Sequence, residues 1–322
     1  MLKSPYPYFG GKRRAADLIW QALGDVPNYV EPFLGSAAVL LARPEEHGRK
    51  TETVNDKDGF ISNFWRAVQA DADAVARWAD WPVNENDLHA RHAWLVGQRE
   101  NMTARLEGDP AWFDAKVAGW WVWGMACWIG HGFCSGEGPW SVVDGELVRS
   151  EGMGIKRQRV HVGDGGRGVH RQLVHVGDGG QGVQAWFGAL QERLKRVRVC
   201  SGDWMRVMGT SVTTNHGLTG VVLDPPYVMD NREAVYAHDS HTIAAEARNW
   251  AIANGDNPLL RIVYCGYEDG YEWPTGWRVV EWEAIGGFQS HRNGNKRRER
   301  LWLSPGCVGV KAVAAEQMAM WG

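Results

Sequence analysis

The 322-residue sequence has no long hydrophobic run, no paired-cysteine pattern and no excess of positive charge. No apolar run approaches the length of a membrane span and no signal peptide is recognisable, so we expect a cytoplasmic protein without membrane contact. The five cysteines are scattered and odd in number, which is typical of reduced thiols. The net charge of −3 gives no overall attraction to DNA, so any basic binding surface must be local.

Two common cofactor patterns are missing or weak. No complete G-x-G-x-x-G is present, which argues against a nicotinamide site. Cys127, His131 and Cys134 have a metal-like spacing, but they lie within or beside the apolar stretch 120–133. We interpret them as packed core residues rather than zinc ligands, and we expect no obligate metal.

The most informative motif is Asp224-Pro225-Pro226-Tyr227, which follows the apolar run 221–223. The prolines end a strand and leave carbonyls without competing local N–H donors. Asp224 and the Pro225 carbonyl can then accept both hydrogens of an exocyclic amino group, and Tyr227 can stack on a base. The motif favours chemistry on the amino group of adenine or cytosine. An ordinary strand end with a chance tyrosine is the alternative.

The N-terminal part contains a second candidate site. Residues 29–41 indicate a strand, a turn of small residues around Gly35 and Ser36, and an apolar helix. A short strand then ends at Asp56, where a carboxylate can bind ribose hydroxyls. This pair of features does not separate a nicotinamide site from other adenosine cofactors. The residues Gly10, Gly11 and Lys12 alone indicate a simple turn into a helix over 13–23.

Taken in chain order, these segments resemble the motifs of the Dam-like DNA adenine-N6 methyltransferases, which form the D12 class or α-group. The resemblance covers roughly residues 5–75 and 195–305. Two departures are Ala37, where a second glycine is usual, and Trp204, where phenylalanine is usual. We expect a bacteriophage or prophage source and the cytoplasm of a bacterial host. The matching motifs are Tyr8-Phe9-Gly10-Gly11-Lys12, Glu31-Pro32-Phe33-Leu34-Gly35, Asn55-Asp56 with Asn63-Phe64-Trp65, Gly202-Asp203-Trp204, Asp224-Pro225-Pro226-Tyr227 and residues 299–305.

The resemblance implies that S-adenosylmethionine is the cofactor and that double-stranded DNA is the substrate. It implies that Asp56 binds the ribose, that Asp203 and Trp204 flank the adenine, and that Lys12 closes over the methionine part. The implied catalytic residues are Asp224, Pro225, Pro226 and Tyr227, and the implied cofactor-binding residues are Tyr8, Phe9, Gly10, Gly11, Lys12, Glu31, Pro32, Phe33, Gly35, Ser36, Asp56, Asp203, Trp204 and Asp224. Cytosine-N4 methylation and an inactive DNA-binding protein of the same fold remain alternatives.

The strand and helix patterns predict an α/β fold. Apolar segments at 196–200, 259–265, 277–282 and 300–303 indicate strands, residues 60–130 indicate helices, and 243–253 indicates a further helix. This alternation predicts a doubly wound, mainly parallel, Rossmann-like methyltransferase sheet with an antiparallel pair near its end. We predict a catalytic core from 1–75 and 190–322, and an inserted helical and glycine-rich target-recognition region at 76–189.

Two segments are locally basic. Nine basic and three acidic residues lie in 155–198, and five basic residues and one acid lie in 291–300. The first segment contains a nine-residue glycine-rich repeat that starts at His161 and again at His175. DNA contact and a solvated surface loop are both open readings. We expect a monomer or weak dimer. The candidate DNA contacts are Arg157, Arg159, Arg167, His170, Arg171, His175, Gln181, Arg292, Lys296, Arg297 and Arg298.

Overall fold

The structure is a computed structural model that describes residues 2–8, 12–45, 51–128, 133–134, 140–143, 146–149, 182–226, 241–268, 270–282 and 299–310. Seven strands form one sheet: β1 (Asn28–Glu31), β2 (Thr51–Asp56), β5 (Val197–Ser201), β6 (Thr219–Leu223), β7 (Leu260–Tyr267), β8 (Arg278–Glu281) and β9 (Glu299–Leu303). Strands β3 (Trp140–Val143) and β4 (Glu146–Arg149) pair separately as an antiparallel hairpin.

The helices are α1 (Ala16–Leu23), α2 (Ala38–Leu41), α3 (Gly59–Ala79), α4 (Glu85–Gly108), α5 (Ala115–Cys127), α6 (Val183–Leu194) and α7 (His241–Asn254). The helix expected over 13–23 therefore begins three residues later, at Ala16. Helix α3 is kinked at Asp71, whose backbone leaves the helical conformation. The Asp71 side chain accepts a hydrogen bond from the Ala74 N–H and so caps the second half of the helix.

The large sheet has the order β5-β2-β1-β6-β7-β9-β8. The first five strands in that order are parallel, whereas β9 runs antiparallel to both β7 and β8. This confirms the predicted mainly parallel sheet with an antiparallel element near its end. The strand order reverses between β1 and β6, and ligands of open α/β sheets bind at the carboxyl ends of the strands beside such a reversal.

Both faces of the sheet are covered by apolar packing. Val221 and Leu223 point into one buried cluster, while Val222 between them points into the other. This alternation follows from the two-residue period of a strand. The cluster containing Val222 also takes in buried residues of α1, α3, α5 and α6, and the opposite cluster includes residues of α7.

The predicted boundary at residue 75 falls within α3, and the boundary at 190 falls within α6. Helices α5 and α6 both pack against α3. The division into a core and an inserted region stays a prediction.

Candidate active site

Three acidic residues lie at the carboxyl ends of neighbouring strands. Glu31 is the last residue of β1, Asp56 is the last residue of β2, and Asp224 directly follows β6. Since these strands are adjacent and parallel, their ends meet at one edge of the sheet. The acids are close enough that Asp224 and Asp56 both raise the pKa of Glu31.

Glu31 is buried, with 3% of its surface exposed. Burial, followed by the charges of Asp224 and Asp56, raises its pKa to about 8, although the hydroxyl of Tyr29 donates a 2.8 Å hydrogen bond that opposes the shift. With this pKa, Glu31 is largely protonated at neutral pH. A cation placed beside it would favour the carboxylate form.

The loop after β1 is fixed by hydrogen bonds to Gly35. Its carbonyl accepts hydrogen bonds from the Tyr6 hydroxyl at 2.7 Å and from the Trp65 indole at 3.1 Å, and its N–H donates to Asp56 Oδ2 at 2.9 Å. Gly35 has a φ of 49°, and an added Cβ would lie 2.7 Å from the ring of Tyr8. The left-handed backbone favours glycine at this position, and the close approach of Tyr8 leaves no room for a Cβ.

Ala37 departs from the usual glycine and nevertheless adopts a left-handed conformation, with φ 56° and ψ 24°. Its side chain is fully buried. The loop thus keeps a glycine-like backbone at this position, at the strain that a left-handed conformation imposes on an L-residue.

Asp56 is held by two backbone N–H groups, from Gly35 to one oxygen and from Asp58 to the other, both at 2.9 Å. Burial raises its pKa to about 7, against the lowering effect of these hydrogen bonds. Each oxygen retains acceptor capacity, because a carboxylate oxygen has two lone-pair sites.

Aromatic residues from two different loops meet beside Asp56. Phe33 and Trp204 stack with ring centroids 5.6 Å apart and planes 29° apart. Asp203 accepts a hydrogen bond from the Met205 N–H and so caps the short 3₁₀ helix Trp204–Val207. Asn55 joins the two loops, since its amide donates to the carbonyls of Pro32 and Gly202. The sequence does not predict Asn55 as a site residue, although it belongs to the motif Asn55-Asp56.

Lys12 lies at the carboxyl end of β6. Its ammonium is 2.9 Å from Asp224 Oδ1 and 5.9 Å from the ring centroid of Trp282. Although burial lowers the pKa of Lys12, the charges of Asp224, Cys265 and Glu299 outweigh it, so the pKa is raised. Lys12 is therefore charged. The expected contact of Lys12 with the cofactor stays a prediction.

The structure brings together Tyr8, Lys12, Glu31, Pro32, Phe33, Gly35, Ser36, Asp56, Asp203, Trp204, Asp224, Pro225 and Pro226 around these strand ends. Of the other candidates, Phe9, Gly10, Gly11 and Tyr227 lie outside the described residues. The same holds for the DNA candidates Arg157, Arg159, Arg167, His170, Arg171, His175, Gln181, Arg292, Lys296, Arg297 and Arg298.

The described part of the chain contains free cysteines and no candidate metal site. Cys127 and Cys134 are buried, and His131 lies outside the described residues. Among the described residues, no cluster of three or more His, Cys, Asp or Glu could hold a metal ion. The described helices include none with the length and apolarity needed to cross a membrane.

Helix α4 contacts the turns that follow β2 and β5. Arg99 donates to Asp58 Oδ2 at 3.4 Å and, through two nitrogens, to the carbonyl of Cys134. Glu107, near the other end of the helix, accepts a 2.9 Å hydrogen bond from Arg206, close to the stacked pair Phe33 and Trp204. The helix therefore supports both the Asp56 turn and the Trp204 turn.

No curated protein matches the chain. A match to one protein-family model covers residues 8–91, which include Lys12, Glu31, Gly35 and Asp56 but end well before Asp224. That model describes the D12 class N6 adenine-specific DNA methyltransferases, and residues 8–91 of the chain are similar to this family.

Proposed function

We propose that this enzyme methylates the N6 amino group of an adenine that is turned out of a specific site in double-stranded DNA. The observation that carries the proposal is the position of Asp224. It follows the central strand β6 beside the strand-order reversal, its side chain is 21% exposed, and it faces a charged lysine. A solvent-reachable carboxylate at this place is suited to accept hydrogen bonds from an amine.

The residues around the strand ends fit S-adenosylmethionine by their chemistry. Asp56 offers acceptor positions to two ribose hydroxyls, and Phe33 with Trp204 offers an aromatic wall for the adenine. Glu31 and Asp224 supply negative charge for a ligand that carries a sulfonium and an ammonium group. When bound, this cofactor supplies a methyl group on positively charged sulfur, which is a strong electrophile.

Asp224 and its two prolines act on the target amine. The carboxylate and the Pro225 carbonyl accept its two hydrogens, which localises the lone pair on nitrogen and points it away from the ring plane. The Lys12 ammonium lies 2.9 Å from the Asp224 carboxylate and holds it in position. Tyr227 stacks on the base. Positioning and fixed charges therefore account for most of the proposed catalysis.

The target base must leave the helix before this contact can form, because the amino group of a paired and stacked base cannot reach a carboxylate at the edge of the sheet. The enzyme is therefore proposed to flip the adenine. Recognition of the surrounding sequence is assigned to the inserted region 76–189 and to the basic segments, where arginine and glutamine can bind guanine and adenine edges.

Nucleoside mass spectrometry tests the proposal. Purified protein is incubated with S-adenosylmethionine and unmodified double-stranded DNA, and N6-methyladenine is the expected product. Asp224→Asn should retain cofactor binding and lose at least a hundredfold in rate, on the scale of removing one essential charge-stabilising group. Asp256→Asn, at an exposed loop residue, is the matched control and should keep full activity.

The alternatives give different products in the same assay. N4-methylcytosine would overturn the base assignment, and activity confined to single-stranded DNA would overturn the duplex substrate. Full activity of Asp224→Asn would overturn the assigned mechanism, whereas cofactor binding without any modified base would indicate an inactive binding protein.

A further inference from the structure

Lys12 has acidic neighbours on two different strands. Asp224 follows β6, and Glu299 is the first residue of β9. Lys12 is 3% exposed and Glu299 is 5% exposed, so both charges lie inside the protein. Burial raises the pKa of Glu299, and the nearby Lys12 ammonium opposes that rise. Glu299 is in turn one of the acids whose charge raises the pKa of Lys12 against the effect of burial.

Only one of the two carboxylate oxygens of Glu299 accepts a hydrogen bond from the described residues. It lies directly opposite Tyr267 in the β7–β9 register, and the Tyr267 hydroxyl donates a hydrogen bond to its carboxylate. Its second oxygen, Oε2, is buried and accepts no hydrogen bond from any group in the described part of the chain. Buried carboxylate oxygens are normally paired, so this atom needs a donor in some state of the enzyme.

The target amine and the Lys12 ammonium are both donors, and both require the Asp224 carboxylate. The Lys12 ammonium lies 2.9 Å from Asp224 Oδ1. An arriving amine must share or displace it. A displaced, buried ammonium without a second anion would be strongly unfavourable.

We propose that Glu299 is the second partner of Lys12: it is a positioning residue that receives the Lys12 ammonium on Oε2 when the target amine binds Asp224. The inference rests on the proposed function, in which Asp224 holds the amine. A lysine suits this exchange because its ammonium sits on a flexible stem and has three donors. No covalent bond changes in the exchange, and the net charge of the three residues stays the same.

The test is Glu299→Gln, which keeps the side-chain shape and an acceptor for Tyr267 but removes the charge. We expect kcat on duplex DNA to fall about 10- to 100-fold, the equivalent of one charge-assisted hydrogen bond. Cofactor affinity should stay within about twofold, because Glu299 acts on the amine side. Glu281→Gln is the matched control, since Glu281 is exposed on the neighbouring strand and pairs with Arg300. It should behave as wild type.

Lys12→Met and the double variant Lys12→Met/Glu299→Gln separate this role from a general structural one. If Glu299 acts through Lys12, the double variant should be no slower than Lys12→Met alone. If the rate loss of the double variant equals the product of the two single-variant losses, the proposal is overturned. An unchanged kcat in Glu299→Gln would also overturn it. Should Glu299→Gln lower the melting temperature strongly, Glu299→Asp keeps the charge and is expected to recover at least part of the rate; an equal loss in both variants would overturn the proposal.

The wild-type enzyme distinguishes the two levels of failure. If it forms no N6-methyladenine, the proposed function fails and this inference falls with it. If wild type is active and Asp224→Asn is not, but Glu299→Gln is fully active, only the inference fails.

Discussion

At the scale of single residues, the site is defined by acids whose pKa values are raised well above their ordinary range. Burial is the first cause for both Glu31 and Asp56. Because the folded chain binds these protons more tightly than the unfolded chain, both acids lower the stability of the ligand-free protein as pH rises towards 8. A bound cation would stabilise the carboxylate forms of both acids and so offset this loss of stability.

The first residue-scale prediction concerns pH. Cofactor affinity should rise between pH 6 and 9, by at most about tenfold per pH unit for each proton released, because a cationic ligand favours the carboxylate forms of Glu31 and Asp56. Isothermal titration calorimetry in two buffers of different ionisation enthalpy at pH 7.5 measures the protons released.

Glu31→Gln is the control, since it removes one titrating group and should reduce the proton release. In the ligand-free protein, the free energy of unfolding should fall from about pH 4.5 to 8, and this variant should flatten that decline. An affinity independent of pH would contradict the assignment of these acids to the cofactor site.

Sequence reasoning placed several residues correctly at strand ends, because a carboxylate after an apolar strand has few other locations in an α/β fold. Glu31, Asp56 and Asp224 are of this kind. The partners of Lys12 were not predictable, because they depend on three segments that come together only in the folded sheet. Glu299 in particular stands in a basic stretch, where the local sequence indicates a solvated surface rather than a buried carboxylate.

At the scale of elements, strands β5, β7, β8 and β9 were predicted to within two residues, since their apolar runs are short and clearly bounded. The kink of α3 at Asp71 was not, because apolar residues at helical spacing continue on both sides of it. The side-chain bond from Asp71 to the Ala74 N–H offsets the helical turn that is lost.

An element-scale prediction concerns the ion cluster that joins α2, β2 and α6. Glu52 is buried, and its carboxylate forms ion pairs with the guanidinium groups of Arg193 at 2.8 Å and Arg43 at 3.1 Å. Arg43 also donates to the Val26 carbonyl, and Arg193 to that of Leu40. Glu52→Gln should destabilise the protein by about 3 kcal/mol, because it leaves two cations without their shared anion.

Urea unfolding measures this loss. The control is Glu192→Gln on α6, which breaks the exposed Lys195 pair and should cost less than about 1 kcal/mol. Equal effects of the two substitutions would show that the buried cluster contributes no more than a surface pair.

At the scale of the whole molecule, strand alternation predicts the fold, which is confirmed. Motif order predicts the likeness to the D12 class, which is confirmed over residues 8–91. The domain division, the monomer or weak dimer and the phage source stay predictions. They depend on contacts between segments or on other molecules, which the sequence pattern does not encode.

The whole-molecule prediction concerns the glycine-rich repeat. Replacing residues 161–180 with the same number of Gly and Ser residues retains Gly182, which precedes α6. If the repeat contacts DNA, kcat/KM on duplex DNA should fall about 10- to 100-fold, the loss expected for one or two base contacts. Cofactor affinity and melting temperature should not change, because the replaced residues lie outside the cofactor-binding elements.

Nucleoside analysis and sequencing of the methylated sites provide the measurement. Retained rate and retained sequence preference would favour a solvated loop, the other reading of this segment. Loss of cofactor binding would instead assign the segment to the catalytic core.

The order of strands in the sheet also governs how the chain can fold during synthesis. Strand β1 lies between β2 and β6. Strand β2 pairs on its other side with β5, where Thr53 is the register partner of Arg198. At an elongation rate of about 5–20 residues per second, β2 leaves the ribosome roughly 7–30 s before β5 is made. During that interval the nascent N-terminal segment has two unsatisfied strand edges, and it depends on chaperones or on its own helices to avoid aggregation.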